Sequence, residues 1–417
     1  MNITKAGVND PITYFPYPSE WLNAESEEIA KSIRKWAETE SITKRLEHRE
    51  GYEQQMQALK VLVRDIVLHR LIWPEEMGGI GYPLPGAAST LVRVYEEIGR
   101  ADPGIGYISA IQVALSAAVV QENGIDDAIK NELCSAFCSN DDVVLFSLIL
   151  PGFGDVDAKP LPIISGREVQ AEVKKKGDGW IINARNARPL NSGNDAYMYA
   201  LIASMPDGYA LVFVPANEPG VKKGEHLINT GLYASRNADI QLKNVKIPEN
   251  RCIPISDKTY KRLLAWIDLF CGAIAVGSAM NVYEIVKDWA DTRVIKGGQR
   301  LKDNPMDAAV LAQVAMDIIN SRILVHSLAR AIAEPDSFAM IGTNDLFVLA
   351  ESITLQVTDN CLHAVNRAME MMASAGYAKE WNVEKHWRDL KTMQAYLGGR
   401  VPVEMDVATA YYESQIG

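Results

Sequence analysis

The period of the hydrophobic pattern changes twice along the chain, and this constrains the fold more than any other feature of the sequence. Near the N-terminus, apolar residues recur every three or four positions, as they do from Met56 to Val67, which is typical of amphipathic helices. The pattern then alternates, as at Val169, Ala171 and Val173, which is typical of half-buried strands. In the C-terminal part the helical period returns. The sequence therefore predicts an α+β fold in which strands lie between two helical regions.

These two changes divide the chain into three predicted domains. Residues 1–140 are expected to form an N-terminal α-helical domain, residues 141–256 a central antiparallel β domain with a barrel-like shape, and residues 257–417 a C-terminal four-helix bundle. The C-terminal helices are apolar on almost every side, so they must pack against one another or against a partner chain. We therefore expect an oligomer.

The composition excludes several classes of function. Lys and Arg total 42 while Asp and Glu total 53, so the net charge is −11, and such a chain has no overall field that attracts nucleic acid. The six histidines and five cysteines show no spacing typical of a metal site. No uninterrupted apolar run reaches about 18 residues, so no membrane span is expected. The odd number of cysteines and the lack of a signal pattern in the first 19 residues predict a cytoplasmic protein.

Five groups of residues form motifs that can be compared with known families. They are the turn Leu71–Gly81, the helical segment Glu96–Asp102, the residues Gly231, Ser235, Val245 and Pro248, the pair Arg293 and Gly297, and the segment Glu380–Asp389. In this order and spacing they resemble the motifs of acyl-CoA dehydrogenases. The resemblance extends from about residue 20 to residue 415. It implies the same order of helices, strands and helices that the hydrophobic pattern predicts.

The resemblance also implies a reaction. Acyl-CoA dehydrogenases remove the α-proton of an acyl thioester with a carboxylate base and transfer a β-hydride to N5 of FAD. The chain is accordingly expected to bind FAD, to act on an acyl-CoA or another acyl thioester, and to pass electrons to an electron-transfer flavoprotein. The family forms dimers that pair into tetramers, so a homodimer or homotetramer is expected, and a hetero-oligomer is left open.

Two acidic residues are candidates for the base. Glu380 stands eight residues before Arg388, where the resemblance places the commonest base, although an arbitrary glutamate is more often exposed on a loop. Asp268 lies where some members have an alternative base and others an arginine. The expected substrate contacts are Trp266, Tyr377 and Arg388.

The segments that hold flavin in the family are the part of this sequence that departs most from it. The expected cofactor contacts are Ile149, Leu150, Pro151, Asp155, Arg188, Leu190, Asn191, Ser192, Arg293 and Gly398. Arg188 replaces the tryptophan that stacks on the flavin in the family. Asp155 puts a carboxylate where a hydroxyl usually faces a phosphate, which is unfavourable because like charges repel unless the loop has shifted.

Three interpretations follow from this mixture of retained and altered motifs. The main prediction is a divergent FAD-dependent acyl-CoA dehydrogenase with Glu380 as the base. The second is a flavin-dependent monooxygenase of the same fold, which the Arg188–Ala203 segment favours and the lack of a histidine after His386 opposes. The third is a non-catalytic partner subunit that has lost FAD, which the altered flavin motifs favour and the retained Glu380 and Arg293 oppose.

Overall fold

The structure is a computed structural model of the chain. It describes residues 15–19, 22–48, 51–66, 68–122, 124–138, 143–152, 159–160, 168–338 and 343–416. Helices form both ends of the chain and strands its middle, in the order that the hydrophobic pattern predicts. The predicted fold of a helical domain, a sheet and a second helical domain is confirmed, while the limits of the three domains stay a prediction.

The N-terminal region contains helices α1 to α5. Their bounds are Ala24–Trp36 (α1), Tyr52–Arg64 (α2), Ala88–Ala101 (α3), Pro103–Gln121 (α4) and Asp127–Cys138 (α5). A single residue, Asp102, joins α3 to α4, and its carboxylate accepts hydrogen bonds from the N–H groups of Gly104 at 2.8 Å and Ile105 at 3.2 Å. An aspartate cap followed by Pro103 fixes where α4 begins. One turn later Tyr107 is fully buried.

Strands β1 to β10 lie between the helical regions. Their bounds are Phe146–Ile149 (β1), Lys159–Pro160 (β2), Glu168–Val169 (β3), Ala171–Lys176 (β4), Gly179–Ala187 (β5), Met198–Met205 (β6), Gly208–Pro215 (β7), Val221–Lys223 (β8), Ile240–Pro248 (β9) and Cys252–Ile255 (β10). The main sheet has the order β10–β7–β6–β4–β5–β9–β8, with β1 beside β6. It is mixed rather than antiparallel as expected, because β1 and β4 pair with β6 in parallel. Parallel pairing needs a long connection, so the alternation within a short segment does not reveal it.

The strand β6 joins two hydrophobic cores. Tyr199, Leu201 and Ala203 lie in the interior of the β region, whereas Ala200 and Ile202 belong to the larger core that the helices form. Alternate residues of a strand point to opposite faces, so one strand contributes to both cores. The neighbouring strand β1 is thereby held beside the helices.

The C-terminal region contains helices α6 to α10. Their bounds are Asp257–Thr292 (α6), Pro305–Ala333 (α7), Thr343–Met371 (α8), Val383–Tyr396 (α9) and Arg400–Ile416 (α10). Helix α6 packs against α3, α7 and α8. Its contact with α3 is close: a Cβ added to Gly277 would lie 1.9 Å from the Glu96 carbonyl oxygen, and one added to Gly99 would lie 2.3 Å from the Ile274 carbonyl oxygen. Only glycine permits this approach of two backbones.

A buried carboxylate ties α3 to α7. The two oxygens of Glu96 accept hydrogen bonds from Arg322 at 2.8 Å, and Arg93 donates to Oε2 at 2.6 Å. His326 Nε2 lies 3.1 Å from the other oxygen. Burial by itself would raise the pKa of Glu96, but the charges of these partners outweigh it and hold the pKa well below its usual value. The carboxylate therefore stays ionised and fixes α7 against the N-terminal helices.

In the part of the chain that the structure describes, three helices, α4, α6 and α7, are long and apolar enough to span a membrane by length and composition alone. The sequence-based expectation concerned uninterrupted apolar runs, and these helices reach a high mean hydropathy with polar residues among the apolar ones. The most apolar stretch is 94% buried in α4 and fully buried in α6, so the fold itself covers these two helices. In α7 only 28% of that stretch is buried. Helix α7 therefore presents an uncovered apolar face, on which Met306, Met316 and Ile323 are exposed.

Candidate active site

A cavity of about 190 Å³ lies where the sheet meets the C-terminal helices. Its walls come from the end of β1, the segment after β5, helices α6 and α8, and the end of α9. The lining residues are Leu150, Pro151, Gly152, Arg188, Pro189, Leu190, Leu264, Ile267, Asp268, Glu351, Ala395, Tyr396, Leu397 and Gly398. Three of them carry charged groups: Arg188, Asp268 and Glu351. A mostly apolar cavity with a few polar groups is typical of a ligand site.

Asp268 is the candidate base that the structure places in this cavity. Its side chain belongs to α6 and is 5% exposed. Leu264 and Ile267 line the cavity beside it. Leu264 lies four positions before Asp268, on the same face of the helix, and Ile267 is the residue directly before it. The carboxyl group is therefore surrounded by apolar side chains on its own helix.

Glu351 is a second carboxyl group in the same cavity, and the motifs do not reveal it. It belongs to α8 and is 6% exposed. The sequence signal is a lone acid directly after the apolar run Leu346–Ala350. Glutamate is rarely buried unless it is paired. An acid on an apolar helix face is therefore a candidate site residue.

The structure does not place Glu380 in the cavity. It lies in the short 3₁₀ turn Lys379–Trp381 with an exposed side chain. This turn precedes α9, whereas the cavity lies at the other end of that helix, whose 14 residues span about 21 Å. A base must lie within hydrogen-bond reach of the proton that it removes. The prediction of Glu380 as the base is therefore corrected. The motif gives its position in the sequence, but Glu380 and the cavity lie at opposite ends of α9.

The three predicted substrate contacts lie in three different places. Trp266 is fully buried on α6, donates its indole N–H to Gln121 at 3.2 Å and lines a second cavity of about 680 Å³. Tyr377 is 59% exposed and lines neither cavity, which contradicts a contact inside a closed site. Arg388 lines an open cleft instead.

The open cleft, of about 480 Å³, adjoins the first cavity and shares Arg188, Ala395 and Tyr396 with it. Its other lining residues are Asn229, Thr230, Trp387, Arg388, Lys391 and Thr392. Arg388 donates to Glu384 through Nε at 2.5 Å. The cleft thus places positively charged side chains next to the apolar cavity.

Five of the predicted flavin contacts line the cavity: Leu150, Pro151, Arg188, Leu190 and Gly398. Arg188 is more than half exposed and donates to both oxygens of Asp239, at 2.7 and 2.9 Å. Its charge is therefore already paired. Gly398 has a φ of 102°, so the turn after α9 requires glycine there.

Two further predicted contacts, Asn191 and Ser192, are buried but support the backbone. Asn191 donates to the Phe146 carbonyl at 3.2 Å, which holds the segment after β5 against β1. The N–H of Ser192 donates to the hydroxyl of Ser235 at 3.0 Å. Neither residue lines the cavity.

The remaining predicted contacts lie apart from the cavity. Ile149 is buried in the core of the β region. Arg293 is exposed at the end of α6, with its guanidinium 5.5 Å from the centre of the Trp289 ring. Asp155 lies outside the described residues.

Two buried titratable groups are neutral: Cys271, which lies close to Asp268, and Tyr107, which lies close to Cys271. Burial raises the pKa of the Cys271 thiol well above its usual value, and the charge of Asp268 raises it further. Burial likewise raises the pKa of Tyr107 well above its usual value. The hydroxyl of Tyr107 has no hydrogen-bond partner among the described residues, and its ring lies 6.3 Å from that of Tyr396.

The residues of the cavity and the cleft fit a flavin cofactor. Leu150, Pro151 and Leu190 offer an apolar surface for a planar ring system, and Lys391 in the adjoining cleft offers positive charge for a diphosphate. Ligand sites commonly measure roughly 300–1,000 Å³. The cavity and the cleft together fall within that range.

Comparison with known proteins identifies the family. Residues 23–141 match the model described as acyl-CoA dehydrogenase, N-terminal domain, and residues 269–400 match acyl-CoA dehydrogenase, C-terminal domain. A probable acyl-CoA dehydrogenase of Mycobacterium tuberculosis is 24% identical over 386 residues, which covers 90% of this chain and 92% of the relative. Two solved structures share the fold. Butyryl-CoA dehydrogenase from Megasphaera elsdenii has a TM-score of 0.77 and 19% identity over 94% of this chain and 98% of its own. Glutaryl-CoA dehydrogenase from Mycobacterium smegmatis in complex with FADH2 has a TM-score of 0.77 and 16% identity over 95% of this chain and 96% of its own.

The chain therefore belongs to the acyl-CoA dehydrogenase family. This is a family of oxidoreductases that act on CH–CH groups. The family that the motifs predicted is confirmed.

Proposed function

We propose that this protein is a flavin-dependent dehydrogenase of an acyl thioester and that Asp268 is the base that removes the α-proton. The observation that carries the assignment is the position of Asp268, a buried carboxyl group in a small cavity that also fits the flavin ring system. Membership of the acyl-CoA dehydrogenase family supports the reaction class.

The apolar surroundings explain how Asp268 acts. Leu264, Ile267 and Leu397 line the cavity around it, and its side chain is only 5% exposed, so it has lost most of its contact with bulk water. A carboxylate that loses its water is a stronger base, which the weakly acidic α-proton of a thioester requires. Because α6 is buried along its apolar stretch, the carboxylate is held in place. It receives the α-proton on one of its oxygens.

FAD, when bound, supplies the hydride acceptor for the β-hydrogen. Leu150, Pro151 and Leu190 would hold its ring system. Arg188 is paired with Asp239 and Arg388 with Glu384, so the contact to the phosphates falls to Lys391 in the cleft.

The second cavity suits the anionic arm of the thioester. Lys258, Lys261 and Arg262 line it together with Trp266, and Asp336 is the one acid among its described lining residues. Arg262 also lies 3.5 Å from Glu122 outside the lining. All four belong to the same helix as Asp268 and precede it by two to ten positions. Coenzyme A and carrier-bound pantetheine both carry phosphate, which lysine and arginine bind. We therefore propose this cavity for the phosphate-bearing part of the substrate.

The uncovered face of α7 supports an oligomer. A large exposed apolar patch on a protein usually marks an interface. We propose that a second copy of this chain covers Met306, Met316 and Ile323, which gives a homodimer or a homotetramer; a hetero-oligomer is the alternative. Arg293 is exposed. A residue that reaches a cofactor in a neighbouring subunit must lie at the surface of its own subunit.

The electron acceptor and the compartment are further proposals. Family membership supports an electron-transfer flavoprotein as the acceptor. The free thiols support a reducing compartment such as the cytoplasm, because all five cysteines are unbridged.

The test is an anaerobic titration of the FAD-loaded protein with a panel of acyl-CoA thioesters, followed through the absorption of oxidised flavin. We expect at least one thioester to bleach the flavin. Asp268→Asn keeps the shape of the side chain and removes the base, so bleaching should slow by about 10²–10⁴-fold. The matched control is Glu380→Gln, which removes an exposed carboxyl group and should leave the rate unchanged.

Three other results would contradict the proposal. Unchanged bleaching in Asp268→Asn would remove the base assignment. Bound FAD that no thioester bleaches would indicate the monooxygenase branch. A protein that takes up no FAD would indicate a non-catalytic partner subunit, the alternative that the paired Arg188 favours.

A further inference from the structure

We propose that Cys134 and Cys138 form a dithiol that a peroxide oxidises to a reversible intramolecular disulfide. This site is independent of the proposed function, because both cysteines belong to α5 and line neither the cavity nor the cleft. The motifs shared with the family include neither residue.

The folded chain brings the two sulfur atoms into contact. Cys134 and Cys138 lie one turn apart on the same face of α5, and their Sγ atoms are 3.5 Å from each other. The Sγ atom of Cys134 also lies 2.9 Å from the carbonyl oxygen of Met77. The short turn Glu75–Met77 therefore holds Cys134 from the side. The two thiols meet in the native structure, so their reaction needs no unfolding.

Closing a bond between the sulfurs requires a small movement at the end of the helix. Cβ atoms four positions apart on a helix are about 5–6 Å from each other, whereas a disulfide joins Cβ atoms about 3.8 Å apart. Cys138 is the last residue of α5, and the last carbonyl groups of a helix have no partner within it. A shift of Cys138 therefore costs only the final hydrogen bonds of α5.

The pair combines one sulfur that solvent reaches with one thiol that ionises easily. Cys138 is partly exposed, whereas Cys134 is buried. The hydrogen bond with Cys138 lowers the pKa of Cys134; burial opposes this shift, and the positive charge of Arg70 supports it. Proton transfer along the hydrogen bond moves the thiolate charge to Cys138, where a dissolved oxidant meets it.

The other three cysteines lack this combination. Cys252, Cys271 and Cys361 belong to β10, α6 and α8 and are all buried. Burial raises the pKa of Cys252 to about 11 and that of Cys361 to about 12, and it holds the pKa of Cys271 well above its usual value. The thiolate is the nucleophile, so these neutral thiols react slowly with an oxidant.

The reaction balances with one molecule of hydrogen peroxide. The thiolate of Cys138 attacks one oxygen, the O–O bond breaks, and a sulfenic acid and hydroxide form. The sulfur of Cys134 then loses its proton, attacks the sulfenic sulfur and displaces a second hydroxide. The two thiol protons convert both hydroxides to water, and two electrons pass from the sulfurs to the peroxide. In a reducing compartment, thiol exchange returns the disulfide to the dithiol.

The test measures the thiols of the full-length protein by mass spectrometry. The reduced protein is treated with hydrogen peroxide, denatured and alkylated with N-ethylmaleimide. All five cysteines are unbridged, so the untreated protein should carry five labels. After oxidation we expect three labels, and the peptide that contains Cys134 and Cys138 should be lighter by two hydrogens than its reduced form. Dithiothreitol should restore all five labels.

Two variants test the order of the steps. In Cys134→Ser the exposed thiol has no partner, so Cys138 should stop at a sulfenic acid that dimedone traps. In Cys138→Ser the remaining thiol is buried, so its oxidation should be at least about tenfold slower. The matched control is Cys252→Ala, which should lose the same two thiols as the wild type.

The wild-type result decides the proposal even if a variant fails to fold. A bond within the peptide that contains both cysteines supports it. The proposal is overturned if peroxide leaves all five thiols, if dimedone traps Cys138 in the wild type in place of the bond, or if the oxidised protein is a disulfide-linked dimer. Equal rates of oxidation in Cys134→Ser and Cys138→Ser would overturn the order of attack.

Discussion

A buried histidine makes the stability of this protein sensitive to mild acid. His69 is 2% exposed and packs edge-on against Phe137, with 5.4 Å between the ring centroids. Its Nε2 has no hydrogen-bond partner among the described residues. Burial lowers the pKa of His69 from 6.5 to about 4. Between these values the folded protein keeps the ring neutral while the unfolded chain protonates it. The stability that the neutral ring contributes is therefore complete above about pH 6.5 and is lost as the pH falls towards 4.

The size of the effect follows from the two pKa values. Relative to about pH 7.5, protonation of an unfolded histidine at about pH 5 stabilises the unfolded state by about 2 kcal/mol. His386 adds a similar amount, since burial lowers its pKa to about 3. Unfolded carboxyl groups titrate mostly below pH 5. Burial raises the pKa values of Glu97, Glu284 and Asp389, but these groups are common to the wild type and a histidine variant, so the difference between the two proteins reports on the histidine.

The assay is urea unfolding of the wild type and His69→Phe at about pH 7.5 and about pH 5. Phenylalanine keeps a ring against Phe137 but cannot be protonated, so the loss of unfolding free energy between the two pH values should shrink by about 2 kcal/mol. Phe137→Leu is the control. It weakens the same ring contact and retains His69, so it should lower stability equally at both pH values. If His69→Phe loses as much stability as the wild type on acidification, the reasoning from burial is refuted.

Two further predictions concern packing and assembly. Gly277→Ala places a Cβ 1.9 Å from the Glu96 carbonyl oxygen, so α3 and α6 must separate, and a thermal melt should show a loss of about 1–3 kcal/mol or more. The control is Gly124→Ala, whose added Cβ would lie 3.8 Å from the end of the Glu122 side chain, so its melting temperature should equal that of the wild type. If the two variants melt at the same temperature, the close contact between α3 and α6 is contradicted. Met316→Asp puts a charge on the uncovered face of α7, so light scattering should show a smaller particle. Ile228→Asp, at another exposed site, should not change the mass, and an unchanged mass in Met316→Asp would argue against an interface on α7.

The candidate site shows where motifs stop being informative. The segment that contains Glu380 follows the family pattern, yet the side chain is exposed at the far end of α9 from the cavity. Asp268 looked like a departure from the pattern, and the structure places it inside the cavity. A motif gives the position of a residue along the chain. Whether that residue faces a dry cavity depends on how the helix that carries it packs.

Glu351 and the substrate contacts illustrate the same limit. Nothing near Glu351 in the sequence connects it with Asp268, because the two residues belong to different helices that meet only after folding. Tyr377 was expected at the substrate because of its place near the last helices, but the turn that carries it is at the surface. Such errors arise because the side-chain direction in a turn depends on the packing of the elements on either side.

The sequence by itself determined the order of helices and strands and the family, because a hydrophobic period and a motif depend only on residues close together along the chain. The tertiary structure alone decided that β1 lies parallel to β6, that α3 and α6 touch through glycine, and that Asp268 and Glu351 share one cavity. Each of these features joins residues far apart in sequence. Their energies come from close packing, from exclusion of water and from charges at short range, and these exist only once the chain has folded.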